Sequence, residues 1–285
     1  MPCVTSPDMT PGLAEAWAAA ERSLARSSVV IRELHDPISQ ADARAVFDAV
    51  WPAEDGSTQV RPILMRALVH AGGYCAAAYD DTTDELLGAT LAFLGRAEDG
   101  TTILHSHMSA VLPQARSRHI GTAMKHHQRA WAWQYDVPVV SWTFDPLVRR
   151  NAYVNLCKLG IDVRGYHVNF YGEMNDAINA GDPSDRMVAW WPVDSLRAAR
   201  AGAAGITPEP EDELVAQGVR LVATPEDIVS LRSQDRDQAF QWRIGVREQL
   251  LQAFAEDLEI DGITDRGSYV LRPASTSSAG EGTGA

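Results

Sequence analysis

The chain has 285 residues, of which 45% are hydrophobic and 22% charged, a balance typical of globular proteins. Its formal net charge of −13 argues against nucleic acid as a partner, because nucleic-acid phosphates require a basic face. The three cysteines, Cys3, Cys75 and Cys157, are odd in number and widely spaced, so they predict neither a set of disulfides nor a CxxC pair. We therefore expect a reducing, cytoplasmic location.

No segment of the sequence predicts a membrane anchor or a secretion signal. The N-terminus lacks the basic start and apolar core of a signal peptide, and no apolar run approaches the ~20 residues that cross a bilayer. We therefore expect neither a membrane nor a nucleic-acid partner. A small anionic ligand is still compatible with the acidic composition if the positive charges that hold it are local.

Hydrophobic periodicity predicts an alternation of helices and strands over most of the chain. The predicted helices cover 11–26, 38–51, 61–73, the stretch that follows Gly121, and 148–160. The predicted strands cover 29–34, 73–80, 85–97, 101–112, 138–145, 163–172 and 186–193. This order predicts an α/β (α+β) fold with a mixed sheet flanked by helices.

The C-terminal part predicts a smaller α+β unit. After an Ala- and Gly-rich helix and an acidic stretch over 194–218, we predict a strand, a helix that begins with a capping box at Thr224, a long helix and a hairpin. The predicted organisation is an N-terminal tail and helix (1–27), a core (28–195), a C-terminal extension (196–272) and a disordered tail (273–285).

The stretch VLPQARSRHIGTAMKHHQ, residues 111–128, places a cationic loop between a strand and a helix. A helix N-terminus offers free backbone N–H groups and the positive end of the helix dipole. Gly121 and Ser117 permit a phosphate to approach the backbone closely. Positive charge comes from three side chains: Arg116, Arg118 and His119. We interpret the loop as a candidate diphosphate site; the alternative is a surface turn with solvated arginines.

This loop resembles the acyl-CoA-binding motif of the GNAT N-acyltransferase superfamily: Gln or Arg, two residues, Gly, one residue, then Gly or Ala. Arg118, Gly121 and Ala123 match that pattern. A frame that starts at Arg116 fits worse, because His119 would replace the first glycine. The resemblance covers residues 28–193 and is strongest over 101–160.

A later helix carries the second part of the resemblance. Four of its residues match the family pattern: Asn151, Ala152, Lys158 and Gly160. The position that usually holds the tyrosine that protonates the leaving thiolate is Leu156 here. Tyr153 is the nearest substitute, and the alternative is that it is a half-buried aromatic residue with its hydroxyl in water.

The resemblance implies a GNAT-type mixed, mostly antiparallel central sheet plus the C-terminal α+β extension. In that fold the fourth and fifth strands separate, and the pantetheine arm of an acyl-CoA co-substrate, such as acetyl-CoA, fits between them. The implied cofactor contacts come from the strand end, the loop and two helices. They are Ser109, Ala110, Val111, Leu112, Arg116, Ser117, Arg118, His119, Ile120, Gly121, Thr122, Ala123, Asn151 and Asn155.

Acyl transfer to an amine requires a base for the amine and a donor for the thiolate. His105 and His107 are two apart on a strand, so they share a face, and a reference pKa of about 6.5 suits a base at neutral pH. Several GNAT enzymes use a Glu on this strand, and His105 is its positional equivalent. The alternatives are two hydrogen-bonded core histidines or a metal site with too few ligands, and we expect no metal.

Charged residues near the fifth strand supply further candidates. Asp145 is predicted to bind the amine or accept its proton; alternatively it caps the next helix. Arg149, Arg150 and Arg186 are candidates to hold a carboxylate of the acceptor or of a succinyl donor, and each is alternatively a solvated surface residue.

The sequence thus predicts an acyl-CoA-dependent N-acyltransferase with an acetyl or succinyl donor. The acceptor is a small amine or amino acid that attacks directly in a ternary complex. Cys157 lies mid-helix among apolar residues without a base partner, so a covalent intermediate is not expected. Two alternatives stay open: a CoA-binding module without catalysis, and thioester hydrolysis. The sequence also leaves a homodimer open.

Overall fold

The computed structural model describes residues 9–52, 56–172 and 182–274. The helices there are α1 (Pro11–Ser27), α2 (Gln40–Val50), α3 (Pro62–His70), α4 (Ile120–Gln134), α5 (Arg149–Tyr153), α6 (Leu196–Ala204), α7 (Glu211–Ala216), α8 (Ile228–Gln234) and α9 (Arg236–Ala255). The strands are β1 (Val29–Glu33), β2 (Tyr74–Asp80), β3 (Leu86–Arg96), β4 (Thr102–Val111), β5 (Val139–Phe144), β6 (Asp162–His167), β7 (Arg186–Pro192), β8 (Arg220–Val222), β9 (Leu258–Ile263) and β10 (Tyr269–Pro273). A short 3₁₀ turn covers Pro113–Ala115, and a π-helix covers Val154–Leu159.

The larger sheet has seven strands in the order β1-β2-β3-β4-β5-β7-β6. Its neighbouring strands are antiparallel except for β4 and β5, which are parallel. The predicted mixed, mostly antiparallel sheet is therefore confirmed. Three consecutive alanines in β2, Ala76, Ala77 and Ala78, are fully buried, which lets helices approach both faces of the sheet closely.

Helices cover the two faces of the sheet in different pairs. Phe47 of α2 and Met65 of α3 pack with Ala77 on one face, whereas Met124 of α4 packs with Ala78 on the other. Helix α1 lies on the outer side of α4 and contacts it through small residues. Helix α4 is thus enclosed between α1 and the sheet, and most of its length is buried.

Local signals set several helix ends as predicted, and one prediction is wrong. Thr10 caps α1 by accepting from Leu13 N, and Pro11 is its first residue. The predicted capping box at Thr224 does not form. Helix α8 begins at Ile228, and it is capped by Asp227, whose carboxylate accepts from the first backbone amides. The Asp227 carboxylate directly precedes the helix and caps it, whereas the Thr224 hydroxyl donates to the Gly267 carbonyl.

Three predicted elements differ in detail from the structure. The helix predicted over 148–160 is α5 followed by the π-helix. The strand predicted over 163–172 ends at His167, where a turn replaces it. The acidic stretch after α6 contains α7, which begins after Pro210. Hydrogen bonds from Asn169 and Phe170 to Asp185 and Ser184 hold the turn after β6, and Pro210 sets the start of α7.

The C-terminal extension forms a second sheet, in the order β8-β10-β9, with α8 and α9 beside it. Its apolar residues are not a separate core. Val246 and Leu250 of α9 belong to the same buried cluster as Trp142 and Phe144 of β5. Across the same contact, the Tyr269 hydroxyl donates to Pro146 O at 2.7 Å. The extension therefore covers the far end of β5; the boundary predicted near residue 196 stays a prediction.

Parts of the predicted tails lie outside the described residues, namely residues 1–8 and the low-complexity stretch from residue 275 onward. Among the described helices, none combines the length and the apolar character needed to cross a bilayer.

Gly160 ends the π-helix in the left-handed region, with φ of 66°, and a Cβ there would lie 2.6 Å from the Arg197 carbonyl oxygen of α6. We expect Gly160→Ala to lower the free energy of unfolding by about 2–5 kcal/mol, because left-handed strain and overpacking add. Gly100→Ala is the matched control, since Gly100 also has positive φ but open space around it. Strain alone should cost that variant about 1–2 kcal/mol in chemical denaturation. Equal losses in the two variants would contradict the close approach of α6.

Candidate functional site

The parallel strands β4 and β5 pair over only three residues each, 103–105 with 139–141. Strand β4 continues to Val111 and β5 to Phe144, so the two strands separate beyond the pair formed by His105 and Ser141. Along this separation neither facing edge has a strand partner within the described residues. Backbone N–H and C=O groups are therefore free to bind an extended ligand between the strands.

A β-bulge in β4 lies at the start of the separation. Ala92 of β3 pairs with Ser106 and Leu91 pairs with Met108, which leaves His107 as the extra residue. Bulges re-aim side chains and are over-represented next to active sites. They also leave the backbone of the extra residue outside the regular ladder.

The predicted histidine pair lies on the sheet face that α2 and α3 cover. The ring centroids of His105 and His107 are 6.0 Å apart, and both rings lie beside Phe93, at 5.1 and 5.7 Å. Burial lowers the pKa of His105 to about 4, with smaller contributions from the charges of His107 and Lys125. Burial also lowers the pKa of His107. Both imidazoles are therefore neutral at pH 7, and burial makes each of them a weaker base than the free imidazole whose pKa of about 6.5 the sequence prediction used.

The loop between β4 and α4 has the backbone geometry of an anion site. Ser117 and His119 have φ of 70° and 63°, and non-glycine residues in this left-handed region cluster at ligand-binding positions. A left-handed residue followed by a helical turn directs successive N–H groups into one concavity. Within the described residues, no acceptor pairs with the amides of Ile120 and Gly121, and His119 provides no side-chain cap.

The two arginines of the loop have different surroundings. Arg118, which matches the family motif, donates from Nη2 to Asp80 Oδ2 at 2.9 Å and to the carbonyls of Ser27 and Ser28. It ties the loop to the neighbouring strands. Arg116 is exposed and forms no ion pair in the part of the chain that the structure describes. Arg116 is thus the guanidinium that is available to an anion at this loop.

Lys125 of α4 lies at the point where β4 and β5 separate, on the sheet face opposite the histidine pair. The sequence analysis did not single it out. Its Nζ donates to Ser106 Oγ at 2.8 Å and lies 3.7 Å from the Trp142 ring centroid. Ser106 and Trp142 are the first residues beyond the last paired residues of β4 and β5. Burial lowers the pKa of Lys125 to about 7. A signal was present in the sequence: only two lysines, Lys125 and Lys158, occur among its 25 basic residues.

Comparison with known proteins gives structural matches only. No family model matches the chain, and no curated protein sequence does. An acetyltransferase of the GNAT family from Streptococcus pneumoniae is 12% identical at a TM-score of 0.46, covering 57% of this chain and 99% of that one. A phosphinothricin acetyltransferase from Sinorhizobium meliloti in complex with AcCoA is 15% identical at 0.46, covering 58% and 88%. Naa50 from Arabidopsis thaliana, in complex with a bisubstrate analogue, is 16% identical at 0.44, covering 57% and 97%.

The strand order, the single parallel pair and the separation of that pair are the features on which the fold is decided. The sheet has the mixed, mostly antiparallel order and the separated fourth and fifth strands that the sequence resemblance implies.

The helical segment that follows β5 is irregular. Asn151 is exposed in the first turn of α5, whereas Asn155 and Leu156 are buried in the π-helix. Single turns of π-helix occur frequently at functional sites. Leu156 lies in the main apolar cluster and offers no hydroxyl. Burial raises the pKa of the Cys157 thiol to about 11, which keeps it protonated and unreactive at neutral pH.

Tyr153, Arg149 and Arg150 lie together, but apart from the histidines. They line a cavity of about 320 Å³ whose other wall comes from the extension, and no β4 residue lines it. The extension contributes Pro208, Glu226, Ile263, Thr264, Asp265 and Gly267. Arg149 is bound across this contact, since it donates to the Thr224 hydroxyl at 3.2 Å and to the Thr224 carbonyl.

Asp145, at the end of β5, belongs to a buried ion network. Its oxygens accept from Arg243 Nη1 and Nη2 at 2.8 and 2.9 Å and from Arg232 Nη2 at 2.6 Å, and Asp182 shares both arginines. Burial raises the pKa of Asp145, but the two guanidiniums outweigh it and lower the pKa to about 2. Such a carboxylate is a weak base. Its Oδ1 also accepts from Leu147 N at 2.9 Å, within the turn that precedes α5. The alternative that Asp145 caps this helix is wrong, because the N-cap residue is Val148 and no side chain caps it.

Arg186, the third predicted carboxylate ligand, is buried beside this network. Its Nη1 donates to the Asp185 carbonyl at 2.9 Å, and its guanidinium lies 5.4 Å from the Tyr171 ring centroid. Among the described residues, no group of three His, Cys, Asp or Glu side chains could hold a metal ion.

The ion network makes a stability prediction. Arg243→Met leaves Asp145 and Asp182 with one arginine between them in a buried site, so we expect a loss of about 3–5 kcal/mol in the free energy of unfolding. Arg220→Met, which removes a partly exposed ion pair with Glu256, is the matched control and should cost less than about 1 kcal/mol. Urea denaturation of both variants measures the difference. Similar small losses would show that the network does not bind the extension to β5.

Proposed function

We propose that the chain is an acyl-CoA-dependent N-acyltransferase that uses an acetyl or succinyl donor. A small amine or amino acid would attack the thioester directly in a ternary complex. The observation that carries this proposal is the separation of β4 and β5 directly beside the open N-terminal amides of α4. The two features together offer an extended channel and, at its mouth, an anion site.

The donor would bind along this channel. A diphosphate would accept hydrogen bonds from the amides of Ile120 and Gly121, with Arg116 as the nearby mobile cation. The open edge of β4 over 109–112 would pair with the amide groups of a pantetheine arm. Thr122 and Ala123 complete the first turn, and the exposed Asn151 is a further candidate contact.

The acceptor would approach from the face of α2 and α3, where the histidines lie. His105 is neutral and half-buried, so it would accept the proton that the attacking amine loses. The backbone at the bulge, outside the regular ladder, supplies a candidate N–H for the developing oxyanion. Because the Cys157 thiol stays protonated, direct attack is favoured over an acyl-cysteine intermediate.

Binding of the donor can be tested at Gly121. A side chain fits there, since the nearest atom to a Cβ is Val111 Cγ2 at 4.0 Å. Gly121→Glu puts a carboxylate on the anion site while the helix dipole favours an acid at this position. We expect an unchanged or higher melting temperature and at least about tenfold weaker CoA binding by calorimetry, equivalent to ~1.4 kcal/mol.

Gly121→Gln is the matched control, because it adds the same length without the charge and should lose less affinity. If the Glu and Gln variants bind CoA like the unchanged protein, the diphosphate is not held at this helix. Turnover is then followed as thiol release from acetyl-CoA and succinyl-CoA with a panel of amines. Release that requires an amine supports the transferase, binding without release indicates a CoA-binding module, and release without an amine indicates thioester hydrolysis.

The proposed base makes a separate prediction. His105→Gln should lower kcat by about 10²-fold and leave the dissociation constant of CoA unchanged, since the imidazole faces the acceptor side. With its pKa at about 4, the base stays unprotonated through neutral pH, so any loss of activity from its protonation falls near pH 4. His70→Gln, at an exposed position of α3, is the control. Unchanged kcat in the His105 variant would remove His105 from the mechanism.

A further inference from the structure

Lys125 is a buried cation without a counter-charge. No carboxylate in the described ranges forms an ion pair with it, and its hydrogen bonds go to Ser106 Oγ and, at 3.5 Å, to Gln128 Oε1. The third direction of the ammonium is taken by the face of the Trp142 ring. Gln128 itself is fully buried, and its Nε2 has no partner among the described residues. A buried charge and an unpaired donor both cost stability.

The position of this cation is defined by the two separating strands. Ser106 and Trp142 would be the next pair of the parallel ladder, and the Lys125 ammonium lies against both of them. The histidine pair occupies the other face of the same point, close enough that the charge of Lys125 lowers the pKa of His105. The groups in contact with the Lys125 ammonium are thus Ser106 from β4, Trp142 from β5 and Gln128 from α4, and His105 is a titratable group across the sheet whose pKa its charge lowers. A proton donor and a proton acceptor flank one point of the sheet.

We propose that Lys125 stabilises and protonates the CoA thiolate that leaves during acyl transfer, an inference that rests on the proposed function. In this step the acceptor nitrogen forms a bond to the acyl carbon and the carbon–sulfur bond breaks. The amine proton passes to His105, and the sulfur takes a proton from Lys125 Nζ. Exchange with solvent then restores both groups. Lys125 supplies the acid that Leu156, at the position of the usual tyrosine, does not.

The properties of Lys125 suit that role. A donor is most effective when its pKa lies near the working pH, and burial brings the pKa of Lys125 to about 7. A buried ammonium also attracts a thiolate more strongly than a solvated one would. The aromatic face of Trp142 holds the cation in place without neutralising it, so its charge is still available to the sulfur.

The direct test is the ionisation of the thiol of bound CoA, followed by the ultraviolet absorbance of the thiolate. In the unchanged protein we expect the pKa of the bound thiol to lie at least one unit below the value measured for free CoA under the same conditions. In Lys125→Met it should return to that value, because methionine fills similar space without charge. Lys158→Met is the matched control and should behave like the unchanged protein.

Two further readouts separate a functional role from a structural one. Lys125→Met should melt at the same or a higher temperature, because it removes a buried unpaired charge, while kcat falls by about 10²-fold. In the unchanged protein kcat should fall as the pH rises through neutrality, because the donor must be protonated, and this alkaline loss should vanish in Lys125→Met. With lysine labelled at Cε, the two lysines give two signals, and the signal that Lys125→Met removes should titrate near pH 7 and shift with CoA.

The outcomes distinguish this inference from the proposed function. If CoA binds and the thiol pKa is the same in the unchanged protein and Lys125→Met, the role of Lys125 is overturned while the donor site stands. If CoA does not bind to the unchanged protein at all, the proposed function fails first. If neither of the two lysine signals of the unchanged protein titrates near neutral pH, the inference is also overturned, without reliance on any variant.

Discussion

Two parallel strands that stop pairing inside a covered sheet impose the main constraint on this molecule. Buried backbone N–H and C=O groups need partners, so an open gap between β4 and β5 is stable only where solvent or a ligand can enter it. The surrounding features meet at this gap. The bulge at His107, the open amides of α4 and the Lys125 ammonium all lie along its edges. In a continuous sheet none of these groups would border a space that a ligand could enter.

Helix α4 and the C-terminal extension fix the two sides of the gap. Because α1 covers the outer side of α4, the helix is held against β4, and even polar residues such as Lys125 and Gln128 are buried on it. On the other side, Asp145 at the end of β5 is bound by Arg232 and Arg243 of the extension. The buried arginines of the extension therefore fix the end of β5, the strand that separates from β4.

Much of the fold follows from short-range patterns in the sequence. Strands with alternating or continuous apolar residues and helices with 3.6-residue periodicity are found where periodicity predicts them, because burial of one face depends only on local spacing. The prediction fails where a distant contact decides. The end of β6 at His167 depends on contacts of the following turn with Ser184 and Asp185, and the cap at Asp227 replaces the one predicted at Thr224. The π-helix that contains Leu156 has no counterpart in the periodicity.

The candidate site divides in the same way. By itself the sequence determined the strand, cationic loop and helix around Gly121 and the histidine pair on β4, because those residues are close in the chain and their geometry is set by one loop and one strand. Only the tertiary structure decided which groups are available for chemistry. It pairs Arg118 with Asp80 and leaves Arg116 open, it encloses Asp145 between arginines from almost a hundred residues away, and it brings Lys125 to the point where two strands part. Charge and pKa depend on burial and on partners across the fold, and these are properties that no local pattern contains.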